Sequence, residues 1–123
     1  FSENIMMMEF KSAKVNPMFS EVFDISPQEV LERKDHVVLI DVREPFEYTG
    51  DLGHIANSTL ISVGELPARL EEIPKDRDVV FICRSGNRSA HAAAYALEQG
   101  YSKVYNMAGG MLMWNQLMLP TER

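Results

Sequence analysis

The chain has 123 residues, 46% hydrophobic and 24% charged, with a formal net charge of −6. This length suits one domain with a real core, and the acidic balance argues against a nucleic-acid or anionic-membrane surface. One cysteine excludes an intramolecular disulfide, and with only His36, His54 and His91 beside it neither a zinc site nor any other metal or cofactor is expected.

Residues 1–19 read as an N-terminal arm or tail, followed by a domain over residues 20–123. Phe1 is no initiator methionine, which reads as a processed or trimmed start, and Met6 to Met8 make too short an apolar run for a signal peptide. Glu21 to Ile25 reads as a weak first strand. Ser26-Pro27-Gln28-Glu29 is a capping box with proline at the first helical position, opening a helix through Arg33. Val37 to Val42 is a buried strand. Pro45 to Tyr48 suits a short helix and Thr59 to Ser62 a brief strand. Gly64 to Ile73 reads as a helix with leucines at 66 and 70, ended by Pro74. Asp78 to Cys83 is an apolar strand, Ala90 to Gln99 an alanine-rich helix closed by Gly100, and Lys103 to Asn106 a last strand. Gly109-Gly110 reads as a flexible joint before an apolar helix with Met111, Trp114 and Leu117. Strands rich in β-branched residues, alternating with helices, indicate a parallel sheet covered on both faces. Ligands bind beyond the strand C-termini of such sheets, where Cys83 and Asp41 lie. No apolar run reaches transmembrane length, and a cytoplasmic location is expected.

The chemistry concentrates at Cys83. After it come Arg84, Ser85, Gly86, Asn87, Arg88 and Ser89, then the helix. Amides at a helix start lack intrahelical acceptors and carry partial positive charge. A tight loop aims further N–H groups inward as an anion nest, with Gly86 free to take positive φ. Such a ring stabilises a thiolate, the reactive form of cysteine. Arg84 and Arg88 add charges suited to an oxyanion. The plain alternative is a buried structural cysteine at a strand end. A loop of this composition between an apolar strand and a helix argues against it. With no second thiol in the chain, a sulfur carried by Cys83 must leave to another molecule.

Several segments resemble one family. Asp41-Val42-Arg43-Glu44-Pro45 with Glu47 resembles the D-V-R-E-x-x-E segment of the rhodanese-like domain, in its single-domain sulfurtransferase type. Gly53-His54-Ile55 resembles its G-H-I turn, Cys83 to Ser89 its C-R-S-G-x-R-S loop, and Gly109-Gly110 with Trp114 its G-G-x-x-x-W segment. The resemblance spans about residues 20 to 119. It implies an α/β fold with a five-stranded parallel sheet, order 1-5-4-2-3, and helices on both faces. It also implies a sulfurtransferase. Cys83 would take a sulfane sulfur from a small anionic donor such as thiosulfate, hold it as a persulfide, and pass it to cyanide, a thiol or a protein acceptor. The amides from Arg84 to Ser89 would stabilise the sulfur, with Arg84 and Arg88 binding substrate charge. Two departures fall near the site. Thr49-Gly50-Asp51-Leu52 looks like a two-residue insertion before the G-H-I turn, and Asn57-Ser58 replaces a usual glycine-alanine pair.

Asp41 and Arg43 read as a bracing pair, with Asp41 accepting loop amides and Arg43 paired to Glu47. His54 reads as a polar group closing its turn, Ser89 as a cap or a donor to the sulfur, and Trp114 as packing. Two other functions compete. Cell-cycle phosphatases of this fold have five residues between cysteine and arginine, whereas four separate Cys83 from Arg88, and arsenate reduction meets the same objection. A non-catalytic sulfur-carrier or regulatory binding module is the other.

Overall fold

The structure is a computed structural model and describes residues 10–123; the reading of Met6 to Met8 lies outside the described residues. Among the described residues six strands run β1 Lys14–Val15, β2 Phe23–Ile25, β3 Val38–Asp41, β4 Thr59–Leu60, β5 Val79–Ile82 and β6 Val104–Met107. The α-helices among them are α1 Pro27–Arg33, α2 Pro45–Tyr48, α3 Leu66–Arg69, α4 Asn87–Glu98 and α5 Gly110–Gln116. The sheet order is β1-β2-β6-β5-β3-β4. The five strands expected from sequence are all parallel and lie in the expected order.

The expectation of a purely parallel, five-stranded sheet is corrected at one edge. Lys14 and Val15 pair antiparallel with Asp24 and Phe23. A side-chain turn makes this reversal: Asn16 Oδ1 accepts from the amides of Met18 (2.8 Å) and Phe19 (3.0 Å). Phe10, ahead of β1, is buried and packs edge-on against Tyr105 at 4.6 Å.

Period-two alternation along β5 divides the core. Val79, Phe81 and Cys83 face a cluster containing Ala92, Ala93 and Ala96 of α4. Val80 and Ile82 face the opposite cluster, with Ile25, Val30, Met107 and Trp114. The alanines give α4 a thin inner face, so it seats close to the strand that carries Cys83.

Three local expectations change. The capping box at α1 forms only half: Ser26 Oγ accepts from the Glu29 amide at 3.2 Å. The Glu29 carboxylate instead takes the amides of Lys11 and Ser12, each at 2.8 Å, and Ser12 Oγ accepts from the Ser26 amide at 2.9 Å. The helix expected over 64–73 is one α-turn between 3₁₀ turns at Val63–Glu65 and Leu70–Glu72. Pro67 lacks the N–H that would bond to the Val63 carbonyl, so the α-helical ladder cannot run through. Helix α4 starts at Asn87, three residues earlier than the alanine pattern suggested, because Gly86 at φ 103° turns the chain directly into it.

Candidate active site

Cys83 follows the last residue of β5 and is 1% exposed. Three donors converge on its Sγ: the Gly86 amide at 3.1 Å, the Ser89 amide at 3.3 Å and the Ser89 hydroxyl at 3.2 Å. Gly86 supplies the first of these from a left-handed conformation. Ser89 lies in the first turn of α4, where the helix presents its free amides and the positive end of its dipole. Two backbone amides and a hydroxyl directed at one sulfur form a site for a sulfur anion.

The loop is supported from behind. The Met111 amide donates to the Cys83 carbonyl at 2.9 Å and the Leu112 amide to that of Arg84 at 3.0 Å. These contacts correct the reading of Gly109-Gly110 as a flexible joint. Both residues have positive φ, 73° and 58°. A Cβ on Gly110 would stand 2.4 Å from the Arg84 carbonyl oxygen and 2.5 Å from that of Cys83. The pair is a packed corner on which α5 meets the loop.

Sequence reasoning missed Asn106. It is buried at the end of β6, with Oδ1 against Ser89 Oγ and Nδ2 donating to Asp24 (2.9 Å) and the Gly86 carbonyl (3.1 Å). The available signal was a lone amide in an apolar strand, Val-Tyr-Asn-Met, at the end of the sheet where ligands bind.

Asp41 and Arg43 are both buried and bidentate, Nε to Oδ1 at 2.9 Å and Nη2 to Oδ2 at 2.8 Å. Asp41 also accepts the Arg43 amide at 3.1 Å. The guanidinium reaches on to the carbonyls of Gly53 (2.7 Å) and Glu47 (3.2 Å). The expected Arg43–Glu47 ion pair is therefore corrected: Arg43 meets only the backbone of Glu47. The Glu47 carboxylate belongs to Arg88, whose two terminal nitrogens bond it at 2.8 and 2.9 Å. Asp41 lies two residues from Arg43 and satisfies its guanidinium edge, which leaves the Glu47 side chain free to cross to α4.

This crossing has a pH signature. Hydrogen bonds from Arg88, above all, pull the Glu47 carboxyl from 4.5 to about 2 against the opposing effect of burial, with help from the Glu44 amide and the charges of Arg88 and Arg43. A lowered folded-state value contributes stability that is present above the unfolded value and lost as pH falls through the folded one. Glu47→Gln should therefore melt below the parent at neutral pH, by roughly 1–2 kcal/mol once solvent screening is allowed for. The gap should close as pH falls from about 4.5 toward about 2. A gap that persists unchanged into acid would show that charge does not carry the contact.

The other expected residues fall in distinct places. Arg84, Ser85 and Asn87 are exposed. Among the described residues the Arg84 side chain has no hydrogen-bond or ion-pair partner. Arg84 borders a cleft of about 330 Å³ together with Phe46, Gly50, Asp51 and Leu52, so the insertion forms part of the rim. Phe46 stands there 75% exposed. His54 stacks on Tyr48 at 3.7 Å, and its Nδ1 lies 2.8 Å from the Tyr48 carbonyl, so the structure ties it to its own turn and not to the sulfur. Asn57 takes left-handed φ, 69°, a conformation asparagine tolerates where glycine is the default. Trp114 is buried, its Nε1 donating to the Pro120 carbonyl at 2.9 Å. Among the described residues no cluster of metal-ligating side chains occurs, and no helix is long and apolar enough to cross a membrane.

The chain that carries this thiol has relatives among known proteins. Residues 26–117 match the model of the rhodanese-like domain. A sulfurtransferase of Allochromatium vinosum is 41% identical over 103 residues, covering 84% of this chain and 94% of that protein. The thiosulfate sulfurtransferase GlpE of Ectopseudomonas mendocina is 36% identical, over 77% of this chain and 86% of its own length. The crystal structure of a rhodanese-related protein from Thermoplasma volcanium superposes with a TM-score of 0.73 at 32% identity, over 79% of this chain and 94% of the other. The chain belongs to the rhodanese-like domain family, and its activity is that of a sulfurtransferase.

Proposed function

We propose that Cys83 is the nucleophile and sulfur carrier, loaded by a small anionic donor such as thiosulfate and unloaded by cyanide, a thiol or a protein thiol. The observation that carries this reading is the convergence of three donors on the one thiol. In the first half-reaction the Cys83 thiolate attacks the outer sulfur of thiosulfate. A new S–S bond forms, the bond to the sulfonate sulfur breaks, and sulfite leaves with the electron pair. In the second, the acceptor attacks the outer sulfur of the persulfide and the Cys83 thiolate departs. The amides of Asn87 and Arg88, in the first turn of α4, are the further donors suited to the outer sulfur. A net charge of −6 supports small-molecule or protein substrates over nucleic acid or a membrane surface. A cytoplasmic protein with a site carried by residues 20–123 is the matching reading, Lys14–Val15 adding an edge strand ahead of it.

Intact mass spectrometry tests the proposal. Thiosulfate should add one sulfur to the protein and cyanide should remove it. A protein that turns over thiosulfate without ever carrying sulfur would overturn it.

Arg84, exposed at the rim and without a partner among the described residues, is assigned to steering the anionic donor. Arg84→Ala should raise the thiosulfate KM about tenfold with kcat within about twofold, the pattern of a lost ground-state charge contact. Unchanged KM would remove Arg84 from donor binding.

A further inference from the structure

The Ser89 hydroxyl has one proton and two acceptors for it. Its Oγ lies 3.2 Å from Cys83 Sγ and also against Oδ1 of Asn106. The Asn106 amide cannot turn over without loss. Its Nδ2 is held by two acceptors, Asp24 Oδ1 at 2.9 Å and the Gly86 carbonyl at 3.1 Å. Asp24 Oδ1 is itself fixed by Asn16 Nδ2 at 2.9 Å. Oδ1 of Asn106 is thereby committed to Ser89, and all three of Cys83, Ser89 and Asn106 are buried.

We propose that the Ser89 hydroxyl is a two-position donor that follows the charge on Cys83 Sγ, that Asn106 is its resting acceptor, and that it acts chiefly when the sulfur is discharged. The proposal rests on Cys83 being the sulfur carrier. An amide oxygen is a better acceptor than a neutral divalent sulfur, whereas a thiolate is better than either. In the persulfide, Sγ is bonded to carbon and to the outer sulfur and bears little charge, so the hydroxyl points to Asn106. As the acceptor attacks the outer sulfur, the Sγ–S bond breaks and its electron pair collects on Sγ. The hydroxyl then turns to Sγ and stabilises the departing thiolate. No proton is transferred, and the electron count is that of the exchange itself. In the loading step the charge leaves Sγ, and Asn106 takes the hydroxyl back. Without that acceptor the hydroxyl would have no second partner to turn to as charge leaves Sγ, and loading would slow. The two residues therefore serve opposite halves of the cycle, Ser89 as a donor to the reacting sulfur and Asn106 as a positioning residue.

Single-turnover kinetics separate the halves. Loading is followed by mass after mixing reduced protein with thiosulfate. Discharge is followed by thiocyanate release after desalting the loaded protein and adding cyanide. Ser89→Ala should slow discharge about tenfold, the scale of a hydrogen bond to a charged group, and change loading by less than about twofold. Asn106→Ala should slow loading about threefold and leave discharge near the parent rate. The double variant should discharge like Ser89→Ala alone, since Asn106 acts through that hydroxyl. Equal slowing of both halves by Ser89→Ala overturns the proposal, and so does parent-like discharge. Asn106→Ala also removes support from Gly86, so melting curves accompany it. Should it fail to fold, Ser89→Ala decides the matter by itself. If the unsubstituted protein does not load at all, the failure lies with Cys83 as carrier and not with the hydroxyl.

Discussion

Cys83→Ser should take up no sulfur from thiosulfate and form thiocyanate at least about 10⁴-fold more slowly, the scale on which an essential nucleophile registers. The replacement keeps the shape of the side chain and leaves the Gly86 and Ser89 donors in place. A serine oxygen accepts those bonds, so the loss of stability should stay within about 2 kcal/mol. What disappears is the polarizable sulfur, a far better nucleophile toward divalent sulfur than a hydroxyl oxygen. Mass spectrometry and thiocyanate colour on one preparation check both consequences. Thiocyanate formed at the parent rate by this variant would end the assignment of Cys83.

Gly110→Ala should be the most damaging substitution that removes no functional group. Its methyl would meet two carbonyl oxygens at 2.4 and 2.5 Å, both backbone atoms of the cysteine loop. Neither can move alone, because each accepts an amide from α5. The residue must also hold φ 58°, which an L side chain resists. Together these should cost about 3 kcal/mol or more and lower the melting temperature by roughly 10 °C or more. Activity should fall further than the stability loss explains, since the displaced atoms belong to Cys83 and Arg84. Gly64 is the control: a Cβ there meets nothing within 4 Å, so Gly64→Ala should melt within about 1 kcal/mol of the parent. If Gly110→Ala melted like the control, the corner would be as pliant as the glycine pair suggested.

The cysteine loop was legible because it rests on a local pattern, whereas the sheet order followed only from the resemblance of four separate segments to one family. Val79 to Ile82 is apolar without interruption, and the polar turn after it can only lie at a strand end. What was not legible depends on partners distant in sequence. Glu47 could have met Arg43 or Arg88, and only the buried fork of Asp41 and Arg43 decides between them. Asn106 carries no pattern of its own, and its meaning comes from Gly86, Ser89 and Asp24 arriving from three other elements. Ser12 takes over half of a helix cap because an edge strand brings it there, which spacing within residues 26–29 could not reveal. Glycine was informative about freedom and silent about crowding, so Gly110 was read as a hinge when its hydrogen is what lets two chains touch.

The added strand changes what the outside of the sheet offers to another molecule of the same kind. Without β1, three residues of β2 would present open backbone groups beside the exposed Phe23 ring, a ready template for intermolecular pairing. With it, both rims of the sheet among the described residues, Lys14–Val15 and Thr59–Leu60, are two residues long. One rim also carries a lysine and runs into Pro17 two residues later. Rims so short and so punctuated give an incoming strand almost no length on which to grow. The hairpin is thus a guard against intermolecular strand pairing, placed at the opposite edge of the sheet from β4.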